Sequence, residues 1–174
     1  MLNKLQRHHT LRTKGFTLIE LVIGMMVIGV AIVMLTSMLF PQADKASATL
    51  QRVRSAELAH SVMNEIWGKR YDQNTNANGG VPACNSGAGL TCSTSMGNDG
   101  ESRDAFNDVD DYHGLNETSN MLDSSQTYAQ AYSGFKLAVT VSYLDTTQAA
   151  KLITVDVTTP SNEVITYQTV RSNY

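Results

Sequence analysis

A carboxylate set at the start of a long apolar run is the most reactive-looking feature of this sequence. Glu20 follows Lys14-Gly15-Phe16-Thr17-Leu18-Ile19 and precedes twenty uncharged residues, Leu21 to Phe40. A charge near hydrocarbon costs roughly 2.5 to 3.5 kcal/mol on insertion scales, so it calls for a partner of opposite sign. Glu20 lies four residues beyond Phe16, about one helical turn, where it can meet a positive group carried at a chain start. The plainer alternative is a glutamate at the membrane interface that snorkels to water. Gly15 has a separate rationale, because only a hydrogen side chain fits a site that grips the backbone closely.

Two further groups could do chemistry. Cys84 and Cys92 are the only cysteines, and C-x7-C without nearby histidines is a weak zinc pattern. In an oxidising compartment the pair reads instead as a disulfide closing a small loop, and a ring of about nine residues contributes roughly 2.5 kcal/mol by the chain-entropy model. Asp104, Asp108, Asp110 and Asp111 gather enough oxygen to suggest calcium. Their spacing departs from an EF-hand, with Tyr112 where a ligand is wanted, so a solvated acidic turn is the default and calcium the second reading. The expectation for cofactors is therefore none. His113 reads as a hydrogen-bonded loop residue.

Catalysis has little to stand on. The four histidines are His8 and His9, His60 and His113, and no G-x-S-x-G, H-E-x-x-H or glycine-rich phosphate loop is present. A membrane-anchored periplasmic hydrolase is thus the least supported reading, and the chain is read as no enzyme. Nucleic acid is also disfavoured. The net charge is −3, and the four positive charges of residues 1–15 leave a still more acidic remainder, where phosphate contacts need a basic patch.

The elements that must carry these residues follow from pattern. Leu21 to Phe40 is long enough to cross a bilayer as a helix, since about twenty residues span the ~30 Å core. No small-residue cleavage site closes it, so the anchor stays with the mature chain. Lys4, Arg7, Arg12 and Lys14 precede it without an acidic residue among them, which holds that end on the cytoplasmic side and sends everything after Pro41 to the periplasm. Beyond it, Leu50, Val53, Ala56, Ala59, Met63 and Ile66 recur at three and four, widened by Leu58, Val62 and Trp67. Gly68 is a plausible stop. A helix from Phe16 to Trp67 would be roughly 78 Å long. Pro41 is expected to kink or locally open it.

From residue 72 to 104 turn-formers dominate, in QNTNANGG, NSGAGL and SMGNDGES. The last third alternates. Phe135, Leu137, Val139, Val141 and Tyr143 form one apolar face, Ile153, Val155 and Val157 a second, and Val164 to Val170 a third run. Asp145 to Ala150 and Thr159 to Asn162 are the turns. Three strands need a cover, and the stripe of the helix supplies it.

The stretch K-G-F-T-L-I-E ahead of an apolar run resembles the processing signal of the type IV pilin and pseudopilin superfamily. The resemblance implies a membrane prepilin peptidase that cuts between Gly15 and Phe16 and methylates the new amino group of Phe16. It also implies that Glu20 is the assembly carboxylate, pairing with the amino terminus of a neighbouring subunit. The expected architecture is α+β and pilin-like: leader 1–15, transmembrane and assembly helix 16–40, amphipathic helix 41–71, irregular region 72–134 with disulfide and acidic turn, and antiparallel sheet 135–174. The implied partners are the peptidase, major and minor pilin subunits and the inner-membrane assembly platform. The implied location is the inner membrane and then the pilus or cell surface. The segments FPQADKASATLQRVRSAELAHSVMNEIWGKRYD, DAFNDVDDYHGL and KLITVDVTTP through YQTVRSNY resemble minor pilin-like subunits of mannose-sensitive haemagglutinin (MSHA) pili. AELAHSVMNEI is also similar to the helix of some minor pseudopilins of type II secretion systems, which keeps that family in play.

Overall fold

The computed structural model describes residues 15–77 and 80–174. The leader residues read above as cytoplasmic, 1–14, lie outside the described residues.

One helix, α1, runs Leu18–Trp67 over 50 residues. It is shared by two compact units, 1–45 and 46–174. Thr17 starts it: its backbone carbonyl accepts from the Glu20 and Leu21 amides at 3.1 and 3.2 Å, and its Oγ1 accepts from Glu20 N at 3.3 Å. That is the behaviour of a threonine N-cap, with Glu20 as the acidic residue of the first turn. Helical assignment continues unbroken through Pro41, the position at which a kink or local opening is expected. A proline removes a single donor from the ladder, and a long helix can absorb that loss. The apolar run of the first unit is uncovered: its most hydrophobic stretch has no buried residues, and length and composition suit it to cross a membrane.

In the second unit α1 packs on a three-stranded antiparallel sheet, giving the α+β architecture. The strands are β1 Lys136–Tyr143, β2 Ala150–Thr158 and β3 Val164–Ser172, in the order β1-β2-β3. Val139 pairs with Val155, and Val155 with Tyr167. The alternating faces meet the helix. Leu58, Ala59, Val62, Met63 and Ile66 of α1 share one core with Leu137, Val139 and Val141 of β1 and Ile153, Val155 and Val157 of β2. Each of these side chains other than Ala59 contributes about 1.5–3 kcal/mol by leaving water. Leu50 and Val53, assigned to this stripe by periodicity, stay 65% and 60% exposed. The turn between β2 and β3 reaches past them, with Ser161 Oγ donating to Gln51 Oε1 and Arg52 pairing with Glu163; Leu50 and Val53 lie on the other face of the helix, with Glu57, His60 and Asn64, which are exposed as well.

The long connection between helix and sheet is better ordered than its composition suggested. It contains two 3-10 turns, Arg103–Ala105 and Asp110–Tyr112, and a short helix α2, Tyr128–Ala131, held by a capping box between Thr127 and Gln130. Phe106, Val109, Tyr112, Leu115 and Tyr128 enter the main core. The same segment covers the outer edge of β1: Gly114 N donates to Val139 O, and Val139 N to Leu115 O, each at 2.9 Å. Gly134 turns the chain into β1 at φ +82°, and a Cβ there would come within 3.2 Å of Pro160 Cγ.

Candidate functional site

At the amino-terminal motif, Gly15 and Phe16 precede the helix in non-helical backbone. Phe16 is 82% exposed, and nothing lies within 4 Å of where a Gly15 Cβ would stand. Glu20 is exposed in the first turn, and among the described residues its carboxylate makes no ion pair. An accessible backbone step, a helix start and an unmatched carboxylate one turn further on are brought together by Thr17 and the helix period.

The acidic segment of the second unit is not the solvated turn expected. Asp108, Asp110 and Asp111 are 1%, 1% and 3% exposed. Two of them cap the backbone: Asp111 Oδ2 accepts from the Asn107 and Asp108 amides at 2.7 and 3.1 Å, and Asp108 Oδ1 from Asp110 and Asp111 at 2.8 and 3.3 Å. Such local bonds are what aspartate offers a tight turn. Burial, then the neighbouring Asp111 charge, pushes the Asp108 carboxyl up to about 6. Asp104 is exposed and accepts from Asp123 N at 3.1 Å, outside this group. His113 Nδ1 lies 3.0 Å from Val141 O and accepts from Val141 N at 3.2 Å, so it ties the loop to β1.

The third aspartate faces a residue that periodicity had passed over. Lys151 is fully buried, with Nζ 2.7 Å from Asp110 Oδ1 and 3.2 Å from Asp72 Oδ2, and it donates to Tyr71 O at 2.7 Å. The rings of Tyr71 and Tyr143 stand 4.3 and 5.2 Å from the ammonium. Burial raises the Asp110 carboxyl to about 7, with Lys151 opposing. Burial also acts on Asp72, but the Asn74 amide, the Lys151 charge and the Ser93 amide outweigh it and hold this carboxyl below its usual range. The signal was available in the sequence: Lys151 occupies the inward register of β2, in line with Ile153, Val155 and Val157.

Cys84 and Cys92 form a disulfide with Cα atoms 4.9 Å apart. With Tyr71 they form a small apolar cluster separate from the main core, against which Tyr143 packs. Asn173 Nδ2 donates to Cys84 O at 2.9 Å, tying the loop to the chain beyond β3. Among the described residues, Asp72, Cys84 and Cys92 are the three metal-type ligands that lie within reach of one another. Joined as a disulfide, the two sulfurs offer no thiolate.

Residues 11–36 match the family model described as the prokaryotic N-terminal methylation motif. No curated protein and no solved structure matches the chain. The methylation motif supports a type IV pilin-like or pseudopilin-like protein, a class with which the long helix and small antiparallel sheet are consistent, and the motif with its apolar helix suggests membrane anchoring. That motif implies processing by prepilin peptidase and assembly with other pilins.

Proposed function

We propose that this chain is a minor type IV pilin-like subunit of an MSHA-type pilus, a role resembling that of the pilin-like protein MshD. In this reading Gly15 is the cleavage position, Phe16 the methylated first residue and Glu20 the assembly carboxylate. The subunit waits in the inner membrane with its head in the periplasm, then enters the fibre to prime assembly, sit at or near the tip, or alter what the pilus binds. In this reading the chain is a structural subunit and not an enzyme, and no cofactor is expected.

The observation that supports assembly is the Glu20 carboxylate, which makes no ion pair among the described residues, one helical turn from Phe16 at the head of an uncovered apolar helix. Because desolvating that charge is costly, a neighbour's amino terminus is its natural relief. Support for a minor subunit comes from the segments quoted above and from the lack of any cysteine beyond Cys92, whereas major pilins often close a carboxy-terminal loop with a disulfide. The test is to shear and purify pili and probe for the chain. Copurification at substoichiometric level is expected. Its absence from pili, with a secretion defect on deletion, would favour the second reading, a minor pseudopilin of a type II secretion system.

A further inference from the structure

We propose that Lys151 and Asp110 condense to an intramolecular isopeptide bond, with Asp72 as the residue that moves the proton. This inference concerns the head alone and is independent of which fibre the chain enters.

The three groups such a reaction needs are present and differentiated. The nucleophile is Lys151 Nζ, fully buried and 2.7 Å from Asp110 Oδ1. The electrophile is Asp110, whose two oxygens are buried and have no hydrogen-bond donor beyond the lysine among the described residues. The proton acceptor is Asp72, 3.2 Å from Nζ, kept as a carboxylate by the Asn74 and Ser93 amides at 2.9 Å each and by Ser93 Oγ at 3.1 Å. Neighbouring carboxyls pushed in opposite directions mark an acid and a base, and here Asp110 goes up while Asp72 goes down.

The reaction balances without an oxidant or co-reactant. One proton passes from the Lys151 ammonium to the Asp110 carboxylate, leaving an amine and an acid. The nitrogen lone pair attacks Cγ of Asp110 and forms the C–N bond. Asp72 then takes a second proton from nitrogen and returns it to the Asp110 hydroxyl, which breaks from Cγ and leaves as water. The product amide keeps one N–H, and Tyr71 O, 2.7 Å from Nζ, is placed to accept it.

The surroundings favour condensation over the ion pair. Two ions held out of water each carry a desolvation penalty of several kcal/mol, and forming the amide removes both charges, while Asp72, which loses the Lys151 cation, keeps the Asn74 and Ser93 amides and Ser93 Oγ as donors. Holding Nζ 2.7 Å from Asp110 Oδ1 makes the encounter intramolecular, and a small shift of Nζ toward Cγ would bring it into attack geometry. The walls are the Tyr71 and Tyr143 rings, and the bond would join the 3-10 turn Asp110–Tyr112 to β2.

Tryptic digestion of the denatured, reduced full-length chain, purified from membranes, tests this by tandem mass spectrometry. The expected species is peptide 104–136 joined through Lys151 to peptide 137–171, one water lighter than the two together and uncut after Lys151. Free peptide 137–151 as the dominant product overturns the proposal. Asp72→Asn should slow linkage on the order of 10²-fold, as loss of a positioned proton carrier does. Linkage at the native rate in that variant overturns the role given to Asp72, and if the variant does not fold, the wild-type digest still decides the bond itself.

Discussion

Glu65 of α1 and Arg103 of the first 3-10 turn meet through both oxygens and both terminal nitrogens, at 2.6 and 2.8 Å, with each side chain 11% exposed. Tyr112 donates to the same carboxylate at 2.6 Å, and Arg103 stacks near the rings of Phe106 and Tyr112. The pair therefore fixes the irregular region to the helix. Arg103→Ala leaves Glu65 nearly buried without its cation and should destabilise the head by about 3 kcal/mol, whereas the double change Arg103→Met, Glu65→Leu should cost less. Urea denaturation of the three proteins checks this; equal losses would show that packing, not the charge, matters there.

The helix and sheet were legible because both rest on local periodicity. Leu58, Val62 and Ile66 at helical spacing, and Val139 and Val141 or Ile153 and Val155 at strand spacing, each bury the expected face. Leu50 and Val53 remain exposed because successive steps of three drift around the helix, which places them on the face of Glu57 and Asn64, opposite Leu58, Val62 and Ile66. The burial of the acidic turn has a different origin. Aspartates buried by long-range contacts have no local signature, and the partner of Asp110 lies on β2, across the whole of β1 in sequence. At the amino terminus, Gly15, Phe16 and Glu20 are singled out by resemblance to the prepilin motif, with spacing and the cost of a charge near hydrocarbon as the physical argument for Glu20.

Asp108 should make the head less stable as pH rises. Its folded-state pKa, about 6, stands above the ordinary 3.8, so the folded chain holds the proton more tightly and loses that advantage between about pH 4 and 6. The loss should be about 3 kcal/mol at most. Asp72, shifted the other way, acts only below about pH 4. Denaturation midpoints of wild type and Asp108→Asn across pH 4–7 should differ in slope, with the variant flatter. A wild-type midpoint that climbs over that window by as much as the variant's would contradict the shift.

Removing the disulfide should act locally. Cys84 and Cys92 pack with Tyr71 away from the main core, so the double change Cys84→Ser, Cys92→Ser should leave helix and sheet folded while loosening the loop between them. Hydrogen exchange would show faster exchange confined to the amides of residues around 84–92. Global acceleration would assign the bond a role in the core.

Glu20→Ala should insert and be cleaved normally yet enter fibres poorly, by about tenfold or more, since the mutant lacks the charge that a neighbour's amino terminus neutralises. Quantitative blotting of sheared fibres against membranes measures the ratio. Equal incorporation would remove the assembly role from this residue.

The central claim is that the chain is matured at Gly15 and begins its working life at Phe16. Sequencing the amino terminus of protein taken from membranes or fibres, by tandem mass spectrometry, tests it most directly. The account predicts a terminal peptide starting at N-methylated Phe16, and an uncut precursor when Gly15 is replaced by a bulky residue. A terminus at Met1, or one well beyond Phe16, would contradict it.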